Sequence, residues 1–439
     1  MTRKVKILCL VLVAALLCGC SLRTVDQLYC LPKRSESYMD LQEAIDRHME
    51  GLSYCAPLSG ENPQSVQRAD LDGDGEAEYL LFAKGSSEKP LHILIFRLEG
   101  EGYVLSDTIV STGSAYDVVA YARMDDQPGL ELIVGRQVSD QVARSVSVYR
   151  FVDGKAQQLM SANYTRFLSY DMDADGRTEL VVLRSGSTDE TSGVAELYRY
   201  RDAAMERSNE VSMSAPVDRM KRIVTGRLQD GAPAVYVASA VGEQAIITDV
   251  FSLVEGVFTN VSLSVESGTS VQTLRNYYIY ADDIDKDGIV ELPGLITMEA
   301  LEPAASPEQQ YLIRWFAMTS TAEVVEKGYT FHDFRDGWYL ELDRQIAPRI
   351  TVVQRDDATD LYLWNEDLTE AQRLMSVYVF TGSDREEAAV RDNRFILYEG
   401  EDTIYSAYLE VASASYGLTQ ESLIRSFRLI RSHWNTGET

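Results

Sequence analysis

The chain has 439 residues, of which 45 % are hydrophobic and 25 % charged, with 41 Lys and Arg against 68 Asp and Glu and a formal net charge of −27. That length points to a repeat array or to two domains rather than to one ordinary core. The acidic excess repels phosphate backbones and argues against nucleic acid as a partner.

Arg3, Lys4 and Lys6 form a basic start, and Ile7 to Leu17 an apolar run too short to span a bilayer comfortably. Residues 1–19 therefore read as a signal peptide. Leu17-Cys18-Gly19-Cys20 resembles the lipobox of bacterial lipoproteins, which makes Cys20 the expected lipidated first residue of the mature chain and places it on the extracytoplasmic face of a membrane. The alternative is a secreted protein cut after a small residue. With Cys9 and Cys18 removed and Cys20 acylated, Cys30 and Cys55 remain. In an oxidising compartment they are expected to form one disulfide, with two unpaired thiols as the alternative.

Residues 20–65 form an anchor segment. Within it Leu41, Ile45, Met49 and Leu52 recur at spacings of three and four, predicting a short helix over Tyr38 to Met49.

From residue 66 the chain repeats. Asp70-Leu-Asp-Gly-Asp-Gly-Glu-Ala-Glu78 returns as Asp171 to Glu179 and as Asp283 to Glu291, and degenerate copies begin at Arg123 and Arg227, giving intervals of 53, 48, 56 and 56 residues. Around each copy lie strand signals, including Tyr277 to Tyr280 before the third intact loop. Hairpin turns are marked at Glu99-Gly100, Asp153-Gly154 and Glu255-Gly256. Four antiparallel strands per unit, repeated five times, predict a mainly β fold: a β-propeller of five or more blades over 66–334, a linear solenoid being the alternative. Beyond about Gly337 the period is lost. Strand signals from Trp338 to Val411 and an amphipathic helix over Thr419 to Trp434 predict a small α+β domain over 335–439, or else a sixth blade with a tail.

Acids at positions 1, 3, 5 and 9, with Gly at 6 for a sharp turn, gather hard oxygen ligands and suit Ca2+. An EF-hand needs Glu at position 12, which here is Leu81, Val182 and Gly294. The loops instead resemble the FG-GAP or VCBS repeat of integrin α-chain propellers. That resemblance covers roughly residues 66–330 and implies Ca2+ ligands at Asp70, Asp72, Asp74 and Glu78; at Asp171, Asp173, Asp175 and Glu179; and at Asp283, Asp285, Asp287 and Glu291. It also implies position-7 backbone carbonyls from Glu76, Arg177 and Ile289. The degenerate copies, with Arg123, Asp125, Gln127 and Pro128 in one and Arg227, Gln229 and Asp230 in the other, are expected to hold no ion. Their Arg at position 1 either replaces the ion's charge by pairing with carboxylates or marks a lost ligand.

The four His residues are widely separated, and no zinc pair, nucleophile elbow or phosphate loop is present, so no catalytic residues stand out. The leading reading is a Ca2+-stabilised surface lipoprotein that binds a protein or a cell-envelope ligand. The alternative is a carbohydrate-active or other hydrolytic enzyme with its site in the C-terminal domain. For the first reading the expected binding face carries the second connection of each unit: Ala83 to Pro90, Gly135 to Arg144, Arg184 to Gly193, Ala238 to Ala245 and Glu299 to Gln310. Gln137 to Asp140 and Ser187 to Glu190 are its expected contact stretches, with Tyr116 and Tyr164 as aromatic anchors.

Overall fold

The computed structural model describes residues 36–138, 144–186, 193–301, 309–365 and 368–430. The signal segment, Cys20, Cys30 and Trp434 lie outside these residues, as do Ser187 to Glu190 and part of Gln137 to Asp140. By its contacts the chain divides into two units, one built mainly of residues up to Thr112 and the other mainly of Gly113 onward.

In the first unit the expected helix spans Glu36–His48. Its apolar stripe buries Leu41, Ala44 and Ile45 against Leu81, Ala83, Leu94 and Phe96. Those four belong to Glu78–Lys84 and Leu91–Glu99, the central strands of an antiparallel sheet whose outer members are Gly102–Ser111 on one side and Val66–Ala69 and Ser53–Tyr54 on the other. Cys55 is half-buried, and its N–H donates to Phe82 O at 2.9 Å.

The second unit begins with three four-stranded antiparallel meanders. These are Ala115–Ala122, Glu131–Gln137, Arg144–Val152 and Lys155–Tyr164; then Arg166–Tyr170, Glu179–Ser185, Gly193–Arg201 and Ala204–Ser212; then Met220–Arg227, Pro233–Val241, Ala245–Val254 and Val257–Asn260. The fold is mainly β and of the propeller type: successive sheets stack as blades, and strand periodicity shows how. Along Glu179–Ser185, Leu180 and Val182 enter the core shared with the preceding sheet, while Val181 and Leu183 enter the core shared with the next. Val235 and Val237 then meet the preceding sheet, and Ala234 and Tyr236 the following one. A central strand buried on both faces reads as a continuous apolar run instead of an alternation. Each such side chain contributes roughly 1.5–3 kcal/mol by leaving water.

The hairpins are tight where Gly marks them. Asp153 and Gly154, and Glu255 and Gly256, all have positive φ, the backbone that a two-residue turn matched to strand twist requires. Asp202 and Ala203 make the same turn without glycine, at φ 47° and 68°.

Three expectations need correction in the fifth sheet and beyond. Tyr277 to Tyr280 form no strand; only a bridge between Asp282 and Glu291 closes the base of the third intact loop. Trp338–Leu342, read from the sequence as part of the C-terminal segment, is the fourth strand of the sheet begun by Leu292–Thr297, Tyr311–Met318 and Val324–Asp333. Among the described residues the helix predicted over Thr419 to Trp434 covers Gln420–Ser426, because Phe427–Leu429 turns extended and pairs with Trp338–Leu342. A further five-stranded antiparallel sheet follows, with a short helix at Arg385–Val390. Its Val352, Leu361, Leu374 and Met375 share one core with Phe331, Trp338 and Leu340 of the fifth sheet.

Candidate metal centres

Each intact loop folds around its own acids. The position-1 carboxylate accepts the N–H of the position-6 glycine, from Gly75 to Asp70 at 3.1 Å, Gly176 to Asp171 at 3.0 Å and Gly288 to Asp283 at 2.9 Å. The position-3 carboxylate accepts the N–H of position 5, from Asp74 to Asp72 at 3.2 Å, Asp175 to Asp173 at 3.3 Å and Asp287 to Asp285 at 3.2 Å. Position 6 has φ of +90°, +87° and +86° at Gly75, Gly176 and Gly288, which a side chain rarely tolerates. Position 4 is also left-handed. Gly73 meets that demand without strain, whereas Ala174 and Lys286 adopt φ of 61° and 65° with a Cβ in place.

The result is three clusters in which one oxygen from each of positions 1, 3 and 9 lies within 4.8 Å of the others: Asp70, Asp72 and Glu78; Asp171, Asp173 and Glu179; Asp283, Asp285 and Glu291. Like charges at about 4 Å repel by roughly 1 kcal/mol in water and about 4 kcal/mol at the effective dielectric of a protein surface. A divalent cation reverses that sign. All three donors are hard oxygens in a turn, so the residues fit a metal ion of the oxygen-ligating class.

Position 9 forms the floor of each cluster. Glu78, Glu179 and Glu291 are buried, and Glu179 and Glu291 accept the position-2 N–H of Met172 and Ile284 at 2.7 and 3.1 Å. Burial pushes both Glu179 and Glu291 up to about 7, with the neighbouring aspartates adding to the rise and those N–H groups opposing it.

Position 5 stands apart. Asp175 is held by Arg177 of its own loop, through the backbone N–H at 2.8 Å and the guanidinium Nε at 3.0 Å, which keeps it below the usual carboxylate range. Asp287 accepts the Ile289 N–H at 2.8 Å and the Lys327 ammonium at 3.2 Å. Asp74, Asp175 and Asp287 are thus ligands in the expected set that do not belong to the three-oxygen clusters. Of the position-7 residues, Glu76 is exposed, while Arg177 and Ile289 are half-buried.

The degenerate loops are built differently. In the first, Glu131 keeps the position-9 role, accepting Met124 N–H at 2.6 Å and Asp125 N–H at 3.2 Å. Asp125 is fully buried, and the guanidinium facing it at 3.8 Å belongs to Arg150, two strands further along the chain, with Arg123 itself exposed. The guanidinium that faces this loop's buried acid is therefore not that of the expected Arg123. Arg123 and Arg227 serve instead through their carbonyls, which accept the position-8 N–H of the next intact loop, Thr178 at 2.8 Å and Val290 at 3.1 Å. Glu131 was legible, since it stands at position 9 counted from Arg123. Arg150 and Lys327 were not, because no local spacing joins them to the loops.

The expected binding face is altered in one unit. Pro233–Val241 and Ala245–Val254 leave only a tight turn at 242–244, so Ala238 to Ala245 is not a long connection. Tyr116 and Tyr164 are core residues, 0 % and 6 % exposed, and the Tyr164 hydroxyl donates to Asp117 Oδ2 at 2.5 Å.

No protein-family model and no curated protein matches the chain. Among solved structures it is similar to a protein from Lactobacillus plantarum, at 12 % identity and a TM-score of 0.27 over 73 % of this chain and 86 % of that one. It is also similar to two rhamnogalacturonan lyases. With the exotype enzyme YesX the identity is 13 % and the TM-score 0.31, over 74 % of this chain and 65 % of that one. With YesW they are 13 % and 0.29, over 74 % and 64 %.

Proposed function

We infer that the chain is a lipid-anchored, extracytoplasmic binding module whose blades are braced by Ca2+ in the three intact loops, and that it presents its connections to a protein or cell-envelope ligand. The observation that carries this reading is the threefold recurrence of the same acidic cluster, each leading directly into a strand and each floored by a buried Glu. Ca2+ suits these loops better than Mg2+, because an open turn offering several carboxylates accommodates a high and irregular coordination number. The ion would link the two ends of each turn and cancel the repulsion among its acids. Asp70, Asp72 and Glu78, and their counterparts, would hold it, with Asp74, Asp175 and Asp287 joining by rotation of their side chains. Membrane attachment rests on the Leu17 to Cys20 box.

Two measurements test this. Extracellular modules bind Ca2+ with Kd on the order of 0.1–1 mM, so free ion at about ten times Kd adds roughly 1.4 kcal/mol per site. The melting temperature should rise with millimolar Ca2+ and fall with chelator, and Asp72→Ala, Asp173→Ala and Asp285→Ala should each remove part of the shift. An unchanged melting temperature in chelator rejects the ion. Cys20→Ser should release the protein from membranes, and retention in the membrane fraction rejects the anchor.

A further inference from the structure

The fifth sheet carries a cavity of about 110 Å³ that none of the metal-loop acids lines. Its floor is apolar, made by Ile279 and Ile313, which are 1 % exposed. Its walls are aromatic: Tyr277 lies with its ring centroid 4.8 Å from Phe334 and 6.2 Å from Tyr311, and His332 lies 5.5 Å from Phe334. Its rim is made of amides. Gln310 donates through Nε2 to Gln354 Oε1 at 3.1 Å, and Gln309 Nε2 is bound to the carbonyls of Met298 and Gln310. Among the described residues these bonds use one end of each amide and leave Gln309 Oε1, Gln310 Oε1 and Gln354 Nε2 as acceptors and a donor for a guest.

We propose that this cavity is a binding site for a neutral pyranose ring. A pyranose has C–H faces that pack on aromatic rings and equatorial hydroxyls that both donate and accept, which is what aromatic walls under an amide rim satisfy together. Charged guests are excluded by what is missing and by what is already paired. Among the described residues no carboxylate lines the cavity, so none of them offers a cation a counter-charge. The lining cation, Arg335, is bound to Asp336 through Nε and Nη2 and to Arg355 O through Nη1, and the net charge of −27 disfavours an anion. His332 adds no charge, since full burial keeps its imidazole neutral. An all-apolar guest would leave the three free amide ends desolvated and unpaired, which costs more than its packing gains. The volume is comparable to a cavity that takes a single six-membered ring, so the site reads one sugar at a time.

The test is a titration of the full chain, followed by calorimetry or ligand-observed NMR, with the methyl α-pyranosides of glucose, mannose and galactose and with N-acetylglucosamine. Galacturonate and glucosamine serve as charged comparators. A guest of this size binds in the millimolar range, so saturable binding of at least one neutral sugar is expected, with the charged comparators weaker. No saturation by any neutral sugar up to about 50 mM, or tighter binding of a charged comparator, overturns the proposal. Gln354→Ala should weaken binding about tenfold, the loss of one hydrogen bond with its partner left unmet, and Tyr311→Ala by a similar factor. If Tyr311→Ala does not fold, Gln354→Glu decides. A carboxylate on the rim should weaken the neutral sugar and admit glucosamine, and unchanged affinities for both reject the site. Oligosaccharides ending in the preferred sugar distinguish a glycan terminus, which should bind more tightly than the free sugar, from a free monosaccharide, which should bind equally. Failure here leaves the Ca2+ reading untouched, because the titration reads sugar binding and not melting.

Discussion

Lys327 Nζ lies 3.2 Å from Asp287 Oδ2, so the third intact loop already holds a cation against its position-5 carboxylate. The same ammonium is 3.7 Å from Glu291 Oε1, a buried oxygen that accepts no hydrogen bond. With its side chain 16 % exposed, Lys327 is a fixed competitor for an incoming ion, and removing it should strengthen the site.

In a background of Asp72→Ala and Asp173→Ala, which leaves the third loop alone, Lys327→Met should raise Ca2+ affinity on the order of tenfold. That is the order of effect expected from deleting one positive charge beside the loop's carboxylates at a partly screened position. Calorimetric titration measures it. Equal affinity with and without Lys327 would show that the ammonium swings clear at no cost.

The first degenerate loop gives the converse case, in which the protein's own guanidinium stands where an ion is missing. Arg150 Nη1 faces Asp125 Oδ2 at 3.8 Å and donates to the Tyr200 hydroxyl at 3.0 Å, while its Nε and Nη2 donate to Gln157 Oε1, and Asp125 Oδ2 is buried without a hydrogen-bond donor. Arg150→Met should cost about 2 kcal/mol, because a buried carboxylate is left uncompensated. Adding Asp125→Asn should recover part of that loss. A double variant as unstable as the sum of the single ones would show that Arg150 acts by packing alone.

Glu131 gives a pH signature. Burial pushes its carboxyl up to about 7, with Asp125 adding to the rise and the Met124 and Asp125 N–H groups opposing it. A folded-state value above the ordinary 4.5 means the native state holds the proton more tightly than the unfolded chain. The stability contributed by the protonated form is therefore full below about 4.5 and lost as pH rises through about 7. Glu131→Gln keeps an acceptor for the two N–H groups and removes the titration. Its melting temperature should match the parent near pH 5 and exceed it at pH 8. A difference independent of pH would assign Glu131 an ordinary carboxylate value.

How much of this was legible in the sequence follows from which interactions are local. The gathering of acids at positions 1, 3 and 9 was legible because those acids and the turn glycines interact within eight residues, whereas the place of the position-5 aspartates outside the clusters was not. The hairpins were visible at Asp153-Gly154 and Glu255-Gly256 and invisible at Asp202-Ala203, where the same left-handed turn is made without the residue that announces it. The propeller class followed from the recurrence of strand signals around each loop at intervals of 48 to 56 residues. What spacing could not carry was contact across distant segments: Lys327 with Asp287, Arg150 with Asp125, and the aromatic cavity assembled from Tyr277, Tyr311 and Phe334. The C-terminal helix was misjudged for a related reason. Leu423 and Phe427 are spaced as on a helix, but Phe427 is claimed by a strand partner some ninety residues earlier in the chain.

If Thr419 to Trp434 were one amphipathic helix, Phe427 would be one of four equivalent anchors on its face. In the structure Phe427 is 4 % exposed and stacks on Trp338 at 5.7 Å and against Tyr405 at 5.4 Å, in a strand that pairs Leu340 with Phe427. Ile424, one turn earlier in the short helix, is 42 % exposed. Phe427→Ala should therefore cost about 3–5 kcal/mol, the range for emptying a packed aromatic site, and Ile424→Ala within about 0.5 kcal/mol of nothing. Denaturant unfolding of the two variants measures this, and comparable small losses at both positions would contradict the packing of Phe427 on Trp338 and Tyr405.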